Sequence, residues 1–139
     1  MKTDDEKERD EILENLLKEH PIHDLVKFDE LNIQEALTEN DFQTVKYKEL
    51  YHKEIGKLDE LQDLLEKLIG TRYEYYRFED SHEWTKVEIE KFCIPRDPKV
   101  LHMKKIIRKQ EVRVRFFEMC WKAFDKRAWS MKMFLETLR

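Results

Sequence analysis

The fold is decided by residues 98–139, PKVLHMKKIIRKQEVRVRFFEMCWKAFDKRAWSMKMFLETLR. From Val100 to Leu138, apolar residues recur at alternating spacings of three and four, with one polar position at Gln110. This spacing keeps the side chains on one face of a helix for more than five heptads, as in a coiled coil or a long bundle helix. The face is widened by a second apolar row that comprises Val112, Phe116, Cys120 and Ala123. We therefore predict a helix over 98–138 that packs against two neighbours.

An apolar face of this length and width predicts self-association, because one chain of 139 residues offers little with which to cover it. The expected fold is all-α, with long helices and a C-terminal coiled-coil or bundle helix that forms a homo-oligomeric ring. The expected subunit contacts lie along the face and comprise Val114, Phe117, Trp121, Phe124, Met131 and Leu135.

The remaining chain divides into an acidic segment over 1–40 and a long helix with its connector over 41–97. In the first segment we predict a helix over 5–19 that ends before Pro21. A loop with a short helix is expected over 22–40, which ends in a turn or cap signal at Asn40-Asp41.

Apolar residues at helical spacing predict the long helix of the second segment from Phe42 to about Phe78, in spite of Gly56 and Gly70. A short helical turn is expected around 87–92 in the connector. The pair Asp97-Pro98 is a typical N-cap and first residue for the C-terminal helix, whose segment covers 98–139.

Composition excludes several classes of protein. No apolar stretch has the length of a membrane span, and the acidic N-terminus has no signal-peptide core. Cys93 and Cys120 form no CxxC pair, which fits a reducing cytoplasm. Phosphate-binding loops and recognisable catalytic motifs are missing from the sequence, and we interpret His20 and His23 as loop residues. We therefore expect no enzymatic activity, cofactor or metal.

The charge is distributed unevenly along the chain. Residues 99–139 hold 12 Lys/Arg and 4 Asp/Glu, whereas residues 1–98 hold 15 Lys/Arg and 27 Asp/Glu. The basic C-terminal part predicts an anionic partner. The alternative is that the two parts neutralise each other between subunits.

The stretch 67–77, KLIGTRYEYYR, alternates cations with aromatic residues. Single-stranded nucleic acid is bound by this combination, because cations contact phosphates and aromatic rings stack on bases. The alternative is that the tyrosines cap a core while the arginines pair with Glu74 and Glu79. Further cations begin the C-terminal helix. The expected DNA-binding residues are Lys67, Arg72, Tyr75, Tyr76, Arg77, Lys104, Lys105 and Arg108, with Lys67 and Arg77 about one turn to either side of Arg72.

Residues 42–139 resemble the UvsY family, the recombination mediators of T-even-like tailed bacteriophages. The resemblance rests on RYEYYR at 72–77, Lys86-x-Glu88, the stretch 97–101 and KAFDKRAWSMKMFLETLR at 122–139, in which 127–132 is the most distinctive part. Arg72, Tyr75 and Tyr76 match a family motif that is linked to DNA binding. Ile69 and Gly70 stand where that motif has leucine and lysine.

This resemblance implies a hexameric or heptameric ring, formed through the C-terminal helix, in the cytoplasm of a phage-infected bacterial host. It also implies that the protein binds single-stranded DNA and helps a RecA-like recombinase to replace the single-strand-binding protein. The alternative from a different class is a structural coiled-coil adaptor that binds no DNA.

Overall fold

The computed structural model describes residues 2–25 and 33–137, in which all regular secondary structure is helical. The helices are α1 (Asp4–Glu19), α2 (Ile22–Leu25), α3 (Ile33–Glu74, followed by a π turn over Tyr75–Glu79), α4 (Lys86–Glu88, a π turn over Ile89–Cys93, and Ile94–Arg96) and α5 (Pro98–Thr137). The all-α prediction is therefore confirmed. None of the described helices is long and apolar enough to cross a membrane. Leu138 of the predicted apolar face and residues 26–32 of the predicted loop lie outside the described residues.

The chain forms two compact units. Unit 1 comprises Met1–Ile55 and Val112–Arg139, and unit 2 comprises Gly56–Glu111. Helices α3 and α5 each contribute to both units. The units thus cut across the segments 1–40, 41–97 and 98–139, because packing joins parts of the chain that are distant in sequence.

The core of unit 1 is built from α1, α3 and α5. Tyr47 of α3 stacks on Phe124 of α5 with ring centroids 5.4 Å apart, and Leu16 of α1 is buried in the same cluster. In this unit α3 and α5 are antiparallel, since their contacts advance from Glu54–Arg113 at one end to Asn40–Arg127 at the other. A bidentate ion pair joins Glu54 to Arg113, with N–O distances of 2.9 and 3.2 Å.

The apolar face of α5 is largely covered by the chain itself. Phe117, Phe124 and Met131 are at most 2% exposed, because residues of α1 and α3 pack over them. The expectation that one chain could not cover this face is therefore wrong at these positions. Val114, Trp121 and Leu135 remain partly exposed.

Asn40 is a second correction. The prediction of a turn or cap at Asn40-Asp41 is wrong, because α3 begins at Ile33 and runs through both residues. Asn40 is fully buried, where its Nδ2 donates to the Phe124 carbonyl at 2.9 Å and its Oδ1 accepts from Arg127 at 3.3 Å. A residue typical of caps thus serves here as a buried polar contact between two helices.

Unit 2 packs the second half of α3 against α4 and the first turns of α5. The buried residues of its hydrophobic cluster are Ile89, Cys93, Ile94 and Val100. Thr85 begins α4 with a capping box, in which the hydroxyl of Thr85 accepts from the Glu88 amide and the Glu88 carboxylate accepts from the Thr85 amide. The predicted helical turn in the connector and the predicted passage of α3 through both glycines are confirmed.

Candidate nucleic-acid interface

The predicted motif around Arg72 is held together by a buried carboxylate, Asp97. Arg72 Nε donates to Asp97 Oδ2 at 2.8 Å, and the Tyr76 hydroxyl donates to the same oxygen at 2.7 Å. The other oxygen, Oδ1, accepts from the amides of Lys99 at 2.9 Å and Val100 at 3.0 Å. Asp97 therefore caps α5, as predicted, and also ties the end of α3 to the start of α5 within unit 2.

This arrangement fixes the protonation states of the cluster. Burial by itself raises the pKa of Asp97, but the hydrogen bonds from Tyr76 and Arg72 outweigh it and hold this pKa below its ordinary value. The hydrogen bond to Asp97 in turn raises the pKa of the Arg72 guanidinium. Burial and the neighbouring carboxylate raise the pKa of Tyr76. At neutral pH the cluster is thus a carboxylate, a guanidinium and a neutral phenol.

Arg72 also stacks on the tyrosines that follow it. Its guanidinium lies 4.3 Å from the centroid of the Tyr75 ring and 5.4 Å from that of Tyr76. The two rings meet edge to face at 5.3 Å. They begin the π turn of Tyr75–Glu79, a wider helical geometry that is often found at functional sites. The side chain of Arg72 is 17% exposed and Tyr75 is partly exposed, so both reach the surface.

Lys67 and Arg77 differ from Arg72 in exposure, and Lys67 does not share the face of Arg72 on α3. Both are exposed, whereas Arg72 lies on the packed face of α3. Five residues advance an α-helix by about 140° beyond a full turn, which moves Lys67 away from the face of Arg72. Arg77 is five residues beyond Arg72 and lies in the π turn. Lys67 therefore does not flank Arg72 at one-turn spacing, whereas the flanking position of Arg77 stays a prediction.

The first turns of α5 carry a concentrated positive charge. Residues 98–110 contain five Lys/Arg and no Asp/Glu. Lys104 and Lys105 precede Arg108 by four and three residues, so each of them neighbours Arg108 on the helix surface. Arg108 is exposed and the two lysines are partly exposed, although Lys105 and Arg108 also interact within the chain. This cationic side of α5 begins about 10 Å along the helix axis from Asp97.

Sequence reasoning missed two features of this region. Asp97 was predicted only as a cap, since nothing in the spacing shows that Arg72, 25 residues earlier, pairs with it. The alternative was that the tyrosines cap a core while the arginines pair with Glu74 and Glu79. Tyr73 and Tyr76 do pack against the core of unit 2, whereas the observed partner of Arg72 is Asp97. The exposed Arg96 was also missed, although its place next to Asp97 and Lys99 in the sequence was a visible signal.

His20 is more than a loop residue. Its Nδ1 lies 3.0 Å from the Tyr47 hydroxyl, and its ring packs edge to face on Phe117 at 5.3 Å. Burial lowers its pKa below the ordinary value. Cys93 and Cys120 are both buried and free, and burial raises the pKa of each thiol. These side chains therefore serve the packing of the two units.

Comparison with known proteins gives no relative. No family model matches the sequence, and no curated protein and no solved structure matches it.

Proposed function

We propose that this protein binds single-stranded DNA through the basic face, which we define as Lys104, Lys105 and Arg108 of α5 in unit 2, with Arg96 and Lys99 as exposed cations near the start of that helix. The observation that carries the proposal is the run of five Lys/Arg without a carboxylate over residues 98–110, directly after the cluster of Arg72, Tyr75, Tyr76 and Asp97. Phosphates are bound by cations. A helix whose first turns carry cations and no carboxylates repels a phosphate little.

Arg72 and Tyr75 supply the second element of this proposal. An arginine has five N–H donors, and the bond from Nε to Asp97 uses one of them. The remaining donors suit a phosphate, while Asp97 keeps the guanidinium in place. Tyr75 offers a partly exposed ring on which a base can stack, and such stacking contributes about 1–3 kcal/mol per base. In this proposal Asp97 positions the guanidinium of Arg72, and the basic face contacts the phosphate backbone of the single-stranded DNA.

The biological role that we propose comes from the resemblance to the UvsY family. The protein would be a recombination mediator in the cytoplasm of a phage-infected bacterial host. As a hexameric or heptameric ring it would engage several segments of one strand, so that weak contacts combine into a stable complex. It would contact both the single-strand-binding protein and the RecA-like recombinase that replaces it.

The DNA-binding proposal is tested with a charge-matched pair of variants. The first replaces Lys104, Lys105 and Arg108 by Gln. The control replaces Lys7, Lys18 and Lys53 of unit 1 by Gln, all of which are exposed. Both variants lose three positive charges, so a difference between them reports position and not net charge.

The measurement is fluorescence anisotropy with a labelled oligo-dT over a series of salt concentrations. Each lost phosphate contact reduces the slope of log affinity against log salt by about 0.7 for a single strand, so the first variant should lose about two units of slope. The control should keep the slope of the parent protein. If both variants are folded and have equal slopes, DNA binding through the basic face is contradicted. That result would favour a structural adaptor.

A further inference from the structure

An open groove with an acidic rim lies in unit 2, on the side of α3 that faces α4. Its carboxylates belong to Glu66, Glu74 and Glu90, and its apolar surface includes Ile69, Tyr73 and Phe78. We call these six residues the acidic groove. Its volume of about 700 Å³ is that of a typical binding pocket, and Phe78 is 78% exposed at its edge. An apolar floor with three carboxylates predicts an occupant that is both apolar and cationic.

Gly70 opens this groove. It lies on the groove side of α3 between Ile69 and Tyr73, and a Cβ atom added to it would meet nothing within 4 Å. The backbone of α3 does not require a glycine at this position, because the φ angle of Gly70 is not positive. Glycine is also less favourable than alanine inside a helix. The space above Gly70 is therefore available to a side chain from elsewhere.

A stripe of matching chemistry runs along the exposed side of α5 in unit 1. It comprises Arg115, Met119, Lys122, Lys126, Trp129 and Met133. Their spacings of four, three, four, three and four residues keep them on one side of the helix. Three are cations, of which Lys122 also pairs with Glu118 and Arg115 also interacts within the chain, and the other three are apolar side chains that are 43–68% exposed. We call these six residues the C-terminal stripe.

We propose that the acidic groove of one copy of the chain receives the C-terminal stripe of a second copy. Charge complementarity carries this inference, because the groove offers three carboxylates around an apolar floor and the stripe offers three cations among exposed apolar side chains. Trp129, which is 65% exposed, is the natural anchor, since tryptophan is enriched among the residues that dominate interface energies.

The geometry of this contact differs from that of a symmetric helix pair. Groove and stripe are different surfaces, so each copy uses one surface to bind the copy before it and the other to bind the copy after it. Such head-to-tail contacts generate a ring if the rotation closes and a filament if it does not. The inference rests on the proposed function only in that both require self-assembly, and it does not depend on DNA binding.

Charge reversal tests the proposal. The groove variant carries Glu66→Lys and Glu74→Lys, and the stripe variant carries Lys122→Glu and Lys126→Glu. The dissociation constant of each variant should be about 100-fold higher than that of the parent protein, because like charges that face each other in an interface are unfavourable. A chain with all four substitutions has a basic groove and an acidic stripe, and should assemble again. Mass is measured by light scattering after size exclusion, and helix content by circular dichroism.

Two pairs of neutral variants test the apolar part of the contact. Trp129→Ser should dissociate the assembly, while Phe42→Ser, at a position of similar exposure (67%), should not. Gly70→Leu should block the groove, whereas Gly70→Ala should keep the parent mass. The proposal is overturned if the parent protein is monomeric at micromolar concentration, if either reversed variant assembles like the parent, or if the fourfold variant stays dissociated. Affinity for a short oligo-dT, measured on the dissociated variants, separates failure of this interface from failure of the DNA-binding proposal.

Discussion

Asp97 should be one of the most sensitive positions of unit 2, and Asp97→Ala is the perturbation that shows it. The substitution removes the acceptor for four donors, namely Arg72 Nε, the Tyr76 hydroxyl and the amides of Lys99 and Val100. It also leaves Arg72 partly buried without its carboxylate, since the side chain is only 17% exposed.

The expected loss can be worked out from these contacts. Removal of an N-cap side chain costs about 1 kcal/mol. Hydrogen bonds to a charged group contribute about 1.5–3 kcal/mol each, and the two side-chain bonds share one oxygen, so they do not add fully. Breaking a buried ion pair by deleting one partner costs about 3–5 kcal/mol. We therefore expect Asp97→Ala to lower the free energy of unfolding by about 3–5 kcal/mol.

The assay is urea denaturation followed by circular dichroism at neutral pH. Asp63→Ala is the control, since Asp63 is an exposed carboxylate on α3 in the same unit and should change the free energy by no more than about 0.5 kcal/mol. The effect should also depend on pH. Because the folded pKa of Asp97 is held below its ordinary value of 3.8, its contribution is present at neutral pH and is lost as pH falls through the folded pKa. A loss below about 1 kcal/mol for Asp97→Ala would refute the reasoning.

Three further predictions concern single side chains. Gly56→Ala should raise the free energy of unfolding by about 0.5–1 kcal/mol in thermal denaturation, because Gly56 is helical and a Cβ atom there meets nothing within 4 Å. A lower free energy of unfolding in the variant would contradict this prediction. Asn40→Ala should cost about 2 kcal/mol or more in urea denaturation, since it deletes the buried acceptor of Arg127; a neutral outcome would show that the contact is dispensable. For His20, burial keeps the folded pKa below 6.5, so stability should fall as pH drops from 6.5 through the folded pKa. His20→Gln should flatten that profile, and an unchanged profile would exclude His20 as its cause.

The long helices could be predicted from the sequence because their signals are local. The three-and-four spacing along α5 marks its buried face, and Asp97-Pro98 marks its first turn. The start of α3 could not be predicted in this way. Asn40 has the chemistry of a cap, and its real partners, Phe124 and Arg127, are more than eighty residues away.

Periodicity shows that a face is buried but not what buries it. The apolar face of α5 was assigned to subunit contacts, whereas Phe117 and Phe124 pack against Leu16 and Tyr47 of the same chain. The same limit applies to Arg72. Its place among tyrosines was visible in the sequence, but its ion pair with Asp97 depends on a packing arrangement that no local spacing encodes.

The salt dependence of binding to single-stranded DNA tests the central claim most directly. The measurement is the affinity of the parent protein for oligo-dT over a range of salt concentrations, with the oligomeric mass checked at each point. The five cations over residues 98–110 predict that log affinity decreases linearly with log salt concentration. If all five cations contact phosphates, the slope should be about −3 to −4 for each protein chain that binds the DNA. Binding that is absent at low salt, or that does not change with salt, would contradict the account.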